Sequence, residues 1–246
     1  MIEWLRRAGP GNPGHGEQVV DVAGRALPLR IRRHARATRM TMRLAPDGSE
    51  VRITLPQWGR SGDAMSFVHS RKDWLAQQLA RVPQAAPPAP GGTLLYRGTP
   101  HPIDWHAAHP RSPRLHEGRL CCGGPAEGLP GRLARWLAAE GQRLMSDDLA
   151  FYCARGGVAV PALRLSSAKR RWGSCSSSGT VRINWRLVQA PDAVRRSVVA
   201  HEVAHLLHFD HSPAFHSTLA GLFEGDLPAA DRWLKAHGRG LYASFG

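Results

Sequence analysis

The amino-acid sequence predicts an α+β protein, with a β-rich N-terminal part followed by a core organised around one amphipathic helix that carries His201-Glu202-Val203-Ala204-His205. Three features lead to this reading. Short runs near the start alternate apolar and polar residues with the period of a strand. From Leu133 onward the apolar residues recur with helical spacing, and a Pro/Gly-rich stretch from Pro83 to Gly92 stands between the two patterns. The expected division is a disordered leader over residues 1–16, a β-rich part with one helix over 17–120, and the core over 130–240.

The elements follow in order. Residues 1–16 hold several glycines and prolines and little to bury. Val19 to Val22 and Ala26 to Ile31 read as strands around an Ala23-Gly24-Arg25 turn, and Met40 to Leu44 and Val51 to Leu55 read as strands around Pro46-Asp47-Gly48. This is an antiparallel β-rich start. Ser61 reads as the cap of a single helix running to Arg81, because Met65, Val68, Leu75 and Leu79 share one face. Proline cannot donate to a ladder, so PQAAPPAPGG is a stiff connector.

Beyond it, Leu94 to Tyr96 and Ile103 to Trp105 flank a Gly-Thr-Pro turn as a second hairpin, and residues 106–131 are weakly patterned. A long helix is expected from Leu133 to the pair Gly156-Gly157. Strands over Leu163 to Cys175 and Thr180 to Trp185 follow, joined by a serine-rich turn. Pro191 suits the first turn of the next helix, whose stripe is Val194, Val198, Val199, Val203 and Leu206.

Composition bounds the function. The chain has 246 residues, 33 basic against 19 acidic side chains and a formal charge of +14. That sign favours polyanions, nucleotide or nucleic acid, through a basic surface, although arginine abundance can also be compositional. No run reaches the roughly 18 apolar residues of a membrane span, so no membrane partner is expected. The four cysteines form no C-x-x-C pair, which points to reduced thiols and a cytoplasmic location.

His201 and His205 lie four residues apart, so on a helix both imidazoles stand on one face and can reach a single ion. Glu202, adjacent to the first, is too close along the chain to share the coordination and can instead take a proton from a water on the ion. A catalytic zinc wants a third protein ligand and an open position. His208, His211, His216 and Glu224 compete for that place. His208 is about 10 Å along the axis from His201, a strained reach that suits a supporting role. His211 precedes Ser212-Pro213, where the chain should turn and swing the ring back over the ion, which favours His211. Phe215, Leu219, Leu222 and Phe223 read as a packing helix capped by Ser212.

The segments KRRWGSCSSSGTVRINWRL and APDAVRRSVVAHEVAHLLHFDHSPAFH resemble the YgjP-like metal-dependent hydrolases, relatives of the WLM and SprT-like zinc metallopeptidases. The likeness runs from about residue 17 to about 220. It implies a zincin-like metallopeptidase core with one Zn2+ per chain, His201, His205 and His211 as ligands, and Glu202 as base. Asp210 stands where the family has Asn and His216 where it has Trp, which bears on the pocket wall and not on the ligands. A metzincin is excluded, since no methionine follows Met145 to form the turn beneath the ion. In RWGSC, Trp172, Gly173 and Ser174 suit close approach of an extended substrate, or else Trp172 and Cys175 are core and Gly173 a bulge. Cys175 has no dedicated base and is not expected to be a nucleophile. The leading expectation is a zinc peptidase acting on polypeptides. A nucleotide phosphoanhydride hydrolase using the same site comes next, and then a nucleic-acid-binding module with a structural metal.

Overall fold

A computed structural model of the chain describes residues 18–45, 48–80, 82, 87–169 and 171–245. The leader, the first two residues of the Pro46-Asp47-Gly48 turn and the start of the connector lie outside the described residues. The chain divides into two compact units, Met1–Val82 and Pro83–Gly246. The division falls at the proline-rich connector. The β-rich stretch around residues 93–122, expected to belong with the N-terminal part, has its core with the second unit.

In the first unit, β1 (Val19–Val22), β2 (Arg25–Arg33), β3 (Thr41–Leu44) and β4 (Val51–Leu55) form a sheet of order β1-β2-β4-β3. The tight reversal at Ala23 and Gly24 uses positive φ at both residues (53° and 78°), the backbone of a hairpin turn that matches strand twist. The sheet is mixed and not purely antiparallel. β2 runs parallel to β4, with Leu29 opposite Val51 and Ile31 opposite Ile53, because the chain passes through β3 before returning to the middle of the sheet. Val20, Leu27, Val51, Ile53 and Leu55 bury one face against Ala64, Val68 and Leu75. Arg30, Arg52 and Arg43 occupy one cross-strand row, so their alternation with apolar residues is that of a wet face.

The expected single helix is two, α1 (Ser61–His69) and α2 (Lys72–Ala80). Ser70 turns its hydroxyl back to the Phe67 carbonyl at 2.9 Å, a local bond that competes with helix continuation. Ser61 is the first helical residue and Arg60 the cap, with the Asp63 carboxylate accepting from the Arg60 amide at 3.4 Å.

The second unit opens with β5 (Thr93–Tyr96), β6 (Thr99–Trp105), β7 (Arg114–His116) and β8 (Arg119–Cys122), ordered β5-β6-β8-β7. Its first turn is Arg97-Gly98, both at positive φ, so Thr99 and Pro100 belong to the strand. β7 and β8 were not legible in the weakly patterned stretch. Leu94, Tyr96, Ile103, Leu120 and Cys122 pack on Leu129, Leu133 and Leu137 of α3 (Leu129–Gly156), which ends where Gly157 adopts the left-handed conformation of a helix stop.

Then come β9 (Leu163–Ser166), β10 (Gly173–Cys175) and β11 (Val181–Asn184), in the order β10-β11-β9. The expected single strand from Leu163 to Cys175 is therefore two strands on either side of β11. Asn184 holds the intervening loop, its side-chain amide donating to the Ala168 carbonyl at 2.8 Å.

A 3-10 turn, Trp185–Gln189, leads into α4 (Asp192–Leu207), with Pro191 at its cap, and α5 (Pro213–Leu222) follows. α6 (Leu227–His237) was not anticipated. Its signal was Asp226 with Pro228, a cap that accepts from the Ala229 amide at 2.9 Å.

Met145, Leu149 and Tyr152 of α3 and Val181 and Ile183 of β11 enclose the apolar side of α4, namely Val198, Val199 and Val203. A buried ion pair adds direction: Arg195 Nε donates to Asp148 Oδ2 at 2.7 Å. α4 is thus held from both sides, and the turn that carries its motif cannot rotate without exposing valines. Among the described residues, no helix is long and apolar enough to cross a membrane. All four cysteines are free.

Candidate metal centre

The last two turns of α4 carry His201, Glu202 and His205, and the helix stops at Leu207 because His208 adopts an extended backbone (φ −139°, ψ 112°). The chain then folds back before Pro213 and brings His211 to the face of α4 that carries His201 and His205. The ring nitrogens of His201, His205 and His211 lie within 4.8 Å of one another. His201 Nε2 and His211 Nε2 are 3.4 Å apart. Two nitrogens on a tetrahedral zinc at about 2.0–2.1 Å each would stand about 3.3 Å apart, so this pair is already at ligand spacing.

Two further features organise the trio. His205 Nδ1 lies 3.0 Å from the His208 carbonyl, which can only accept, so Nδ1 carries the hydrogen and Nε2 is left as a lone-pair donor. Beneath all three rings sits Phe215, fully buried, with centroid distances of 5.0, 4.6 and 4.8 Å to His201, His205 and His211. Phe215 was read as plain core. It is also the floor that limits how the imidazoles can turn. Ser212 caps α5 by accepting from the Phe215 amide at 3.4 Å, which fixes where that floor stands.

Electrostatics suit a cation. Burial and the neighbouring imidazoles hold His201 down to about 4, so it is neutral and needs to lose no proton to become a ligand. Glu202 is 4% exposed, and burial pushes its carboxyl up to about 7. Its Oε2 is buried without a hydrogen-bond partner. A buried bare acceptor costs about 1–3 kcal/mol, and a polarised water or a cation in the centre would satisfy it. The donor set, three imidazoles with a carboxylate adjacent to the first, fits a zinc-class ion.

Of the other expected candidates, His208 and Glu224 are engaged elsewhere. His208 bonds through Nε2 to Thr218 Oγ1 at 3.1 Å and serves the trio only through its carbonyl. His216 is exposed on α5, its ring 6.4 Å from that of His211. Glu224 accepts from the Tyr152 hydroxyl at 2.9 Å and pairs with Arg196 at 2.6 Å, tying the loop after α5 to α3 and α4. Trp172 is half-buried, packed against the edge of the core 5.7 Å from the Tyr242 ring and against Gly238. Burial and the Glu202 charge raise the Cys175 thiol, the wrong direction for a nucleophile.

Gly173 has a sharper role than a bulge. A Cβ there would lie 2.3 Å from Glu202 Oε1 and 2.7 Å from its Cδ, so the absence of a side chain is what lets the carboxylate stand beside β10. Ser174, next along the strand, alternates to the other face. Gly173→Ala is expected to displace the Glu202 side chain and reduce activity at least about tenfold while the histidine trio still takes up its ion. Metal content and turnover measured on the same preparation would check it. Wild-type turnover in the alanine variant would mean that Glu202 is free to move or does not matter.

Two imidazoles from α4 and one from the loop after it converge beside a buried carboxylate, an arrangement of the kind that can hold a metal ion. The chain belongs to the YgjP-like family: the family model described as YgjP-like, metallopeptidase domain matches residues 38–237, from the first unit through α6. No curated protein and no solved structure matches the chain.

Proposed function

We propose that the protein is a zinc-dependent peptidase in which His201, His205 and His211 hold the ion and Glu202 is the general base. The observation that carries this reading is the convergence of the three ring nitrogens next to a carboxylate whose Oε2 has no partner. When bound, the ion supplies a Lewis acid that polarises a carbonyl and makes water a better nucleophile. Glu202 takes the proton of the attacking water and returns it to the leaving amine. Its raised proton affinity suits both halves of that task, since a base working near neutral pH is best matched when its pKa lies near 7.

Substrate approach is supported by the sheet. β10 lies at the edge of the order β10-β11-β9. The Asn184 amide donates to the Trp172 carbonyl at 2.7 Å, and Ser176 donates to Thr180 at 3.0 Å. In an antiparallel pair bonded residues alternate, so the amides and carbonyls of Gly173 and Cys175 face away from β11. An extended polypeptide can add there as a strand, next to Glu202. This arrangement favours a peptide over the phosphoanhydride reading, which has no comparable feature at the site.

Incubation with unfolded casein, with metal content determined in parallel, tests the proposal. Cleavage is expected to stop on chelation and return with stoichiometric Zn2+. Zinc-loaded protein that leaves casein intact but hydrolyses nucleoside triphosphates would move the reading to phosphoanhydride chemistry.

A further inference from the structure

A second group of metal-ligating side chains lies in the β5–β8 sheet, built from different residues than the histidine trio. β6 and β8 run parallel with Asp104 opposite Cys121, so the two side chains stand side by side on one face. Their neighbours Ile103, Leu120 and Cys122 bury the opposite face in the core. His109 comes over the pair from the loop after β6, and the ligand atoms of Asp104, His109 and Cys121 all lie within 4.8 Å of one another. All three residues are half-buried.

The loop that presents His109 is pinned at several points. The His106 amide donates to the Cys122 carbonyl at 3.3 Å and the Gly123 amide to the Pro110 carbonyl at 2.9 Å. Trp105 Nε1 donates to the Gly124 carbonyl at 3.0 Å. Gly123 is required for this closure, because a Cβ there would meet the His109 carbonyl oxygen at 1.9 Å. The histidine is therefore delivered to the Asp104–Cys121 pair by a built turn.

We propose that Asp104, His109 and Cys121 form a second metal site, taking one divalent ion of the zinc class with a fourth position open to water. The distances fit. Cys121 Sγ and Asp104 Oδ2 are 3.8 Å apart. On a tetrahedral ion with Zn–S about 2.3 Å and Zn–O about 2.1 Å, these atoms would stand about 3.6 Å apart. The mixed sulfur, nitrogen and oxygen set selects zinc or cobalt over magnesium or calcium, which prefer oxygen alone. Binding converts the Cys121 thiol to a thiolate whose proton is released to water, and the S–M bond replaces the thiol's contact with Asp104. A metal here would clip the loop to the sheet some distance along the chain from the histidine trio and independently of it.

Cobalt reads the site directly, because a thiolate bound to Co2+ gives a charge-transfer absorption in the near ultraviolet and the histidine trio contains no sulfur. Titration of metal-free protein with CoCl2 is expected to give that band with one equivalent bound, in addition to the ion at the trio. Cys121→Ser should abolish the band and lower stoichiometry by one, while Cys175→Ser leaves both unchanged. Asp104→Asn should keep the band with affinity weakened at least about tenfold. The band should survive His201→Ala, so failure of the trio to bind metal leaves this test intact. ZnCl2 should also slow alkylation of Cys121 in the wild-type protein, which needs no variant. No band in the wild type, a band that persists in Cys121→Ser, or alkylation of Cys121 indifferent to zinc would each overturn the proposal.

Discussion

Glu202→Gln is expected to retain zinc and a near-wild-type melting temperature while turnover falls by about 10²–10⁴ or more, the usual contribution of a positioned general base. The substitution is chosen for its shape. Glu202 is wedged against Gly173, where a Cβ would come within 2.3 Å of Oε1, so only an isosteric replacement removes the carboxylate without shifting β10. The three imidazoles are held against Phe215 and one another, so they should remain in place. KM should change little, since the residue acts on the water rather than on the bound chain. Loss of zinc in Glu202→Gln would make the carboxylate a ligand or the holder of one. Retention of both zinc and full activity would make it a bystander and move the search for a base to His216, because His208 and Glu224 are committed to Thr218, Tyr152 and Arg196.

The second large effect is on the ion itself. His201→Ala or His205→Ala should reduce zinc affinity by more than about 100-fold, beyond what loss of a supporting contact costs. Two remaining nitrogens cannot complete a three-ligand site, and truncation also exposes the Phe215 floor. His211→Ala should behave likewise, whereas His208→Ala should leave zinc bound, since the backbone carbonyl that orients His205 survives the substitution. Competition of each purified variant against a chromogenic chelator gives the ranking. Stoichiometric zinc retained by His201→Ala and His205→Ala would refute the site, and a loss in His208→Ala equal to that in His211→Ala would show that the His208 ring is more than a bond to Thr218.

Of the fold, the sequence determined those features that depend on neighbours along the chain. The alternation in β4, the turn at Ala23-Gly24, the stop of α3 at Gly157 and the Ser212 cap of α5 are written in a few adjacent residues, because backbone geometry and local hydrogen bonds decide them. The placement of His201, Glu202 and His205 on one turn of helix is of the same kind. So is the extended backbone of Ser212, which rests on the steric restriction that Pro213 puts on the residue before it. α1 and α2 merged into one expected helix because the apolar spacing continues across Ser70, while the break is a single hydroxyl bond that periodicity does not register.

What only the tertiary structure decided are pairings between distant segments. That β9 and β10 flank β11, that β2 runs parallel to β4, and that β7 and β8 exist at all follow from which buried faces meet, and short half-exposed strands carry too few apolar residues to announce it. The same holds at the metal centre, where the need for glycine at position 173 is invisible until Glu202 comes up against it across the strand–helix contact. Asp104, His109 and Cys121 have no motif spacing. They become a group only because parallel register sets Asp104 beside Cys121 and a pinned loop closes His109 over them, and the close packing that enforces register is a property of the folded chain.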